Sequence, residues 1–189
     1  MEETFRPLFH EIFTKVNNAK DKAKKVAVLR KYDTPNLRNL LMCAFNPDIE
    51  WMLPEGDVPY MPNDAPDGTD HSTLSQEVRA IHNYVKRKVT GSDTEDWVMG
   101  NPALNAAKRE MLFIQLLEGL SAGEAECMCL AKDKTLHRKY KGLNANTVRE
   151  AFGWNDDFCD PILIAQRDSR PGVDLGRTPA DMAYVNRTG

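Results

Sequence analysis

Hydrophobic residues recur every three or four positions through the first 45 residues, which is the spacing of one buried helix face. Thr4 is a suitable N-cap for the first helix, and Pro7 fits within its first turn. The apolar stripe consists of Phe5, Leu8, Phe9, Ile12, Phe13, Val16, Ala23, Val26, Ala27 and Leu29. Thr34 and Pro35 then start another helix, as N-cap and first helical residue. The pattern predicts that this first block is helical.

A segment without periodicity follows at residues 46–72. It contains five prolines and two glycines, with aromatic and aliphatic residues between them. A loop of this length is unusual inside a compact domain. Its aromatic residues predict that it packs across the helices as an ordered, proline-rich loop.

Helical spacing returns after the loop. Residues 73–76 fit a capping box, and they open a predicted helix whose inward face reaches Val89. Residues 93–98 then predict one isolated turn, anchored by Trp97. The middle of the chain is therefore predicted to contain a helix followed by a turn.

The strongest helical pattern of the chain runs from Leu104 to Leu117, after an Asn101-Pro102 start signal. Residues 121–124 fit another capping box, which opens a short helix. Asn144 starts a last helix, and Gly153 is its expected C-terminal glycine. These signals predict an all-α, mostly helical fold with a single compact multi-helix domain over residues 1–153.

Residues 154–189 are predicted to form an extended C-terminal tail, because they are rich in proline, glycine and scattered charges. Two short apolar clusters interrupt this polar segment, at residues 162–164 and 182–185. Clusters separated in this way suit a strap that docks on its own domain or on a neighbouring chain. A loosely held terminus is the alternative.

The composition narrows the class of protein. The chain has 189 residues, 25 basic and 28 acidic side chains, and a formal net charge of −3. That balance excludes a strongly basic histone-like binder, and 41% hydrophobic residues exclude a disordered acidic protein. No apolar run approaches the ~20 residues of a membrane span, and the acidic start predicts no secretion signal. The four cysteines have no regular spacing, which favours reduced thiols in a cytosolic protein.

Three motifs suggest chemistry at first sight, and each has a simpler explanation. Residues 119–123 match G-x-S-x-G, but a helix precedes the serine where a hydrolase needs a strand. Cys127 and Cys129, with His137 nearby, lack the spacing of a zinc site. Residues 64–71 resemble a calcium loop, but their register fails; turn chemistry explains them, with a weak surface metal site as the alternative. The sequence predicts no enzyme, cofactor or metal.

Three basic segments could converge into one phosphate-binding surface, with the acidic loop pointing away. The simpler explanation is that each forms a solvated face. The candidate nucleic-acid contacts are Lys22, Lys24, Lys25, Lys31, Lys86, Arg87, Lys88, Arg138, Lys139 and Lys141.

Most of residues 15–153 resemble a family of small uncharacterised proteins of large tailed bacteriophages. The resemblance rests on four stretches: TPNLRNLL at 34–41, FNPDIEWMLPEGDVPYMPNDAPDG at 45–68, NPALNAAKREMLFIQLLEGL at 101–120 and KGLNANTVREAF at 141–152. This family has no assigned activity. The resemblance implies a viral protein that acts in the host cytoplasm or is part of the virion.

The order of elements is also similar to the helical N-terminal DNA-binding domain of ATP-dependent DNA ligases. The matching stretches are KAKKVAVLRKY at 22–32, IEWML at 49–53, REMLFIQLLEGLSAGEA at 109–125 and NTVREAFG at 146–153. In ligases this domain grips the DNA backbone beside a nick. Ligase activity itself also needs a K-x-D-G lysine, whereas Lys31-Tyr32-Asp33 is followed by Thr34. The resemblance implies duplex binding or docking alone.

Two functional hypotheses follow from the sequence. The first is a non-enzymatic bacteriophage accessory protein that binds duplex DNA through its basic helical segments. The alternative is an interaction or virion assembly component, including a host-takeover factor, that holds a host or phage protein through the 46–72 loop and the tail. Its expected aromatic anchors are Trp51, Tyr60 and Trp97.

Overall fold

Helices make up most of the secondary structure in the computed structural model, which describes residues 6–66, 71–89, 96–153 and Ile162. In chain order the elements are α1 (Phe9–Asn18), α2 (Lys22–Lys31), α3 (Pro35–Phe45), β1 (Ile49–Trp51), α4 (Leu74–Glu77), a 3₁₀ helix (Val78–Asn83), β2 (Val85–Lys88), β3 (Trp97–Met99), α5 (Ala106–Gly119), α6 (Ala122–Lys132), α7 (Leu136–Lys139) and α8 (Ala145–Phe152). The mostly helical prediction is confirmed. The strict all-α class is wrong, because three strands form a small sheet.

Side-chain caps define where several helices start. Thr34 Oγ1 accepts the backbone N–H of Leu37 at 3.1 Å, with Pro35 at the first position of α3, as predicted. Asn144 caps α8 in the same way, and Gly153 ends it with φ +82°. The apolar stripe of the first block is divided between two helices, because the chain turns extended at Ala19 before α2 begins.

Other start signals were wrong in position. Asn105, and not Asn101, caps α5, because its side chain accepts the N–H of Lys108 at 2.8 Å. Thr73 and Ser121 occupy N-cap positions without a side-chain cap bond, so neither predicted capping box forms. Thr4, the predicted first cap, lies outside the described residues, and Leu8 is the N-cap of α1.

The sheet is antiparallel, in the order β1-β2-β3. Trp51 is paired with Val85, and Lys88 is paired with Trp97. The predicted helix from residue 73 to Val89 therefore stops at the 3₁₀ helix, and its second half is the central strand. Of the turn predicted at 93–98, Trp97 and Val98 belong to β3 instead, and residues 93–95 lie outside the described residues. Strands of three or four residues depend on partners distant in sequence, which propensity alone does not reveal.

One buried carboxylate joins three helices. Glu124 belongs to α6, and its side chain accepts the backbone N–H of Phe9 at 3.2 Å and of Leu74 at 2.5 Å. These two N–H groups are at the starts of α1 and α4, where helices have no internal acceptor. Glu124 is 1% exposed. The side chain predicted to cap its own helix therefore connects two others.

Helices α2 and α8 are also in contact. Arg30 of α2 donates to the carbonyl of Glu150 at 2.9 Å and to that of Ala151 at 3.1 Å, both in α8. The domain is therefore closed by contacts between segments about 120 residues apart.

The core contains two groups of aromatic rings. The Phe113 ring makes edge contacts with Trp51 and Tyr84, and Phe13 lies between Phe9 and Tyr140. Ile162 is also fully buried in this core. One residue of the predicted tail therefore packs with the helical domain. The rest of the tail, including the cluster at 182–185, lies outside the described residues.

Candidate functional site

Two basic stretches meet where α1 ends, α2 begins and the turn between α7 and α8 passes. The ammonium of Lys25 donates to the carbonyls of Val16 at 2.7 Å, Asn17 at 3.2 Å and Lys141 at 2.9 Å. The backbone N–H of Lys141 donates to Asn17 Oδ1 at 2.9 Å. A Cβ at Gly142, where φ is +84°, would be 2.6 Å from the Lys25 side chain. This junction therefore fixes the two stretches side by side.

Exposed cations surround that junction. We call this surface the basic end, and it comprises Lys20, Lys22, Lys24, Arg138, Lys139 and Lys141. Five of them are among the predicted nucleic-acid contacts. Lys25, also predicted as a contact, instead holds the junction together through its ammonium.

Acidic neighbours partly neutralise the basic end. Lys22 pairs with Glu150 at 2.5 Å, Lys24 lies 3.6 Å from Asp21, and Lys139 pairs with Glu126. The side chains of all three pairs are exposed to solvent, and Lys139 is the least exposed of them, at 39%. Exposed pairs of this kind contribute about 0–1 kcal/mol, so a phosphate can compete for the cations.

The remaining predicted contacts lie elsewhere. Lys31 is at the opposite end of α2, with its ammonium 5.3 Å from the centre of the Tyr32 ring. The triplet Lys86, Arg87 and Lys88 is on strand β2, so the prediction that these residues are helical is wrong. Lys86 pairs with Glu50 at 3.0 Å and lies over the Trp97 ring at 4.7 Å. At the basic end, by contrast, hydrogen bonds between Lys25, Asn17 and Lys141 bring two separate basic stretches together.

The three predicted aromatic anchors have different environments. Trp51 is only 9% exposed, and its indole N–H donates to the carbonyl of Cys43 at 3.0 Å, so it is a core residue. Tyr60 and Trp97 are half-buried. Burial raises the pKa of the Tyr60 hydroxyl, with a further contribution from Cys129.

Two lysines at the end of α6 hold the proline-rich loop. The Lys132 ammonium donates to the carbonyls of Pro54 at 2.7 Å and Gly56 at 3.2 Å, and pairs with Asp133 at 2.5 Å. Lys134, at φ +54°, donates to the carbonyls of Asn46 and Ile49. Burial lowers the pKa of Lys134. The loop is therefore packed on the helices over the part that the structure describes.

A small cleft lies between this loop and helix α5. We call it the loop cleft; its volume is about 90 Å³, and it is lined by Leu53, Pro54, Asp57, Val58, Pro59, Glu110, Phe113, Ile114 and Lys132. Two large apolar side chains are exposed nearby in sequence: Met61 at 76% and Met111 at 43%. The sequence signal for this site was the mixture of prolines and apolar residues in the loop.

The motifs that suggested a hydrolase or a metal site lie in surroundings typical of residues with a structural role. Ser121 is 2% exposed, in the extended N-cap position of α6. His71 bonds through its ring nitrogens to Asn63 and to the carbonyl of Ala65, which shapes the part of the 64–71 turn that can be described. Among the described residues, no group of three or more His, Cys, Asp or Glu side chains is placed to hold a metal ion.

Both cysteines of the C-x-C pair have raised pKa values. Burial is the main cause, and it raises the pKa of Cys127 to about 12 and that of Cys129 to about 11. The Cys127 thiol lies 3.2 Å from the Tyr140 hydroxyl. These environments stabilise protonated thiols, which are poor nucleophiles.

Alkali is expected to destabilise the protein through Cys127. An unfolded thiol ionises near pH 9 and the folded one near 12, so the unfolded state loses its proton first and stability falls as pH rises through this window. By about pH 10.5 this one group costs about 2 kcal/mol. Urea unfolding at about pH 8 and 10.5 should show a smaller alkaline loss in Cys127→Ala than in wild type. Equal losses in both proteins would contradict the assignment.

The fold places this protein among mostly helical domains that carry a small antiparallel sheet. The chain belongs to a family of unknown function, DUF6433, whose model matches residues 12–138. The matched segment runs from α1 into α7 and ends before α8. No curated protein and no solved structure matches the chain. Within the described residues, no helix has both the length and the apolar character to cross a membrane.

Proposed function

We propose that this protein binds duplex DNA through the basic end, as a non-enzymatic accessory protein of bacteriophage DNA metabolism in the host cytoplasm. One observation carries the proposal: Lys25 and Lys141 join two basic stretches that are more than 100 residues apart into one exposed surface. Cations spaced along such a surface suit successive phosphates of a nucleic-acid backbone.

The overall charge sets the expected strength of binding. A net charge of −3 opposes a polyanion, so binding depends on the local surface and on low ionic strength. Contacts of this kind go to phosphates and carry no base specificity. Non-specific complexes typically have Kd values of about 10⁻⁴ to 10⁻⁶ M at physiological salt.

Removing three cations of the basic end is expected to abolish most of this binding. The triple variant Lys20→Ser, Lys24→Ser, Lys141→Ser keeps the junction, because Lys141 contributes to it only through backbone atoms. Each lost phosphate contact should reduce the slope of log K against log salt by about 1. Fluorescence anisotropy with intact and nicked duplexes across a salt series measures both affinity and slope.

The double variant Lys86→Ser, Lys88→Ser is the matched control, since it removes cations from the sheet. It should bind DNA like the wild type. A loss confined to this control would place the interface on β2 and contradict the assignment to the basic end. Absence of wild-type binding to either duplex at low salt would contradict DNA binding altogether.

A second candidate function is supported by the loop cleft. In this case the protein is an interaction or assembly component, acting as a host-takeover factor or within the virion. The supporting observation is the 76% exposure of Met61 in a loop whose backbone is fixed by Lys132. An exposed apolar side chain on a fixed backbone suits a protein contact, because little ordering entropy opposes binding.

A further inference from the structure

The loop cleft combines an apolar floor with a negative rim. Phe113 and Ile114 of α5 form one wall, and Val58 of the loop lies in the lining. Asp57 and Glu110 also belong to the lining, and within the described part of the chain neither carboxylate pairs with a cation. The lining lysine, Lys132, is already bound to two carbonyls and to Asp133. Its charge therefore does not offset the rim.

Two exposed methionines extend the apolar surface beside the cleft. Met111 is three residues before Ile114 on α5, so the two side chains are neighbours on the helix surface. Met61 is held near the same helix, because its backbone N–H donates to the Glu118 carboxylate at 3.0 Å. Methionine adapts its shape to a partner, which makes it common at protein-binding surfaces.

The size of the cleft indicates the kind of occupant. Pockets for small organic ligands measure about 300–1,000 Å³, several times more than the 90 Å³ found here. Such a cleft holds one inserted side chain, with neighbouring contacts supplied by the exposed methionines. The geometry therefore favours a protein segment over a small molecule.

We propose that the loop cleft docks a basic amphipathic segment of a partner protein. An aliphatic side chain of that segment enters the cleft, and its lysines or arginines face Asp57 and Glu110. The proposal rests on the second candidate function above and specifies the chemistry of its partner. Charge complementarity favours a basic segment over an acidic one, because an acidic segment would be repelled by the carboxylates of Asp57 and Glu110.

The test uses a labelled helical peptide of leucine and lysine as probe, with a leucine and glutamate peptide as its charge-reversed counterpart. Anisotropy should show binding of the basic peptide to the full chain and at least tenfold weaker binding of the acidic one. Glu110→Lys should weaken the basic peptide about tenfold. Gln115→Lys, an exposed position on the same helix outside the lining, is the matched control and should have little effect. Met61→Ser should weaken both peptides.

Several outcomes would overturn the proposal. Equal binding of both peptides would indicate general stickiness, and equal effects of Glu110→Lys and Gln115→Lys would place the site elsewhere. Self-association of the full chain that Glu110→Lys disrupts would make a second copy the occupant. Tighter peptide binding by Tyr184→Ser would indicate that the C-terminal segment of the chain itself competes for the cleft. Failure of the basic peptide to bind would overturn this proposal alone, whereas proof that the protein binds DNA and no protein would overturn the second candidate function together with it.

Discussion

Replacing Glu124 with alanine is expected to destabilise the domain by about 3 kcal/mol or more. The substitution leaves the N–H groups of Phe9 and Leu74 buried without their acceptor. Each unsatisfied buried group costs about 1–3 kcal/mol, and the negative charge at two helix starts is lost as well. Urea unfolding at neutral pH, followed by circular dichroism, measures the change.

Glu126→Ala is the matched control, two residues further along α6. Its carboxylate is 52% exposed and pairs with Lys139 at the surface. Loss of such a pair should change the free energy of unfolding by less than about 1 kcal/mol. Glu124→Gln should fall between the two, because one amide oxygen still accepts while the amide NH₂ faces a donor. Similar values for Glu124→Ala and Glu126→Ala would show that the buried carboxylate does not connect the helices.

Trp51→Ala is expected to cost about 3–5 kcal/mol, the range for truncating a large buried aromatic side chain. The substitution removes the edge contact with Phe113 and the hydrogen bond to the Cys43 carbonyl. Trp51→Phe should restore part of the stability, because a ring still fills most of the space. Chemical denaturation of the wild type, Trp51→Ala and Trp51→Phe measures the free energy of unfolding of each protein.

Trp97→Ala provides the comparison, since both residues were predicted as partner anchors. Trp97 is half-buried and contacts the Lys86 ammonium, an interaction of about 0.5–1 kcal/mol at exposed sites. A small loss of stability is therefore expected. If Trp51→Ala proves as mild as Trp97→Ala, the Trp51 side chain is not part of the core.

Local chemistry explains which parts of the fold the sequence could predict. The caps at Thr34 and Asn144 and the glycine at 153 act within one helical turn, so a short stretch of sequence determines them. The strands could not be predicted in this way. Residues 85–88 fit helical spacing as well as strand spacing, and only pairing with β1 and β3 decides between them.

The same distinction applies to the candidate sites. The lysines of the basic end were identifiable as charged stretches, but the junction that joins them depends on a Lys25–Lys141 bond between distant segments. Glu124 illustrates the opposite error. Its spacing from Ser121 matched a local capping box, whereas in the structure it bonds to residues 50 and 115 positions away.

The contact between α2 and α8 has a consequence for synthesis on the ribosome. Arg30 emerges early, but the carbonyls of Glu150 and Ala151 that it binds are made about 120 residues later. A nascent chain must therefore leave the face of α2 that contacts α8 without its partner until nearly the whole domain has been translated. Long-range closure of this kind raises the contact order, and proteins of high contact order fold slowly. The contact between α2 and α8 is therefore among the last that the domain can form during synthesis.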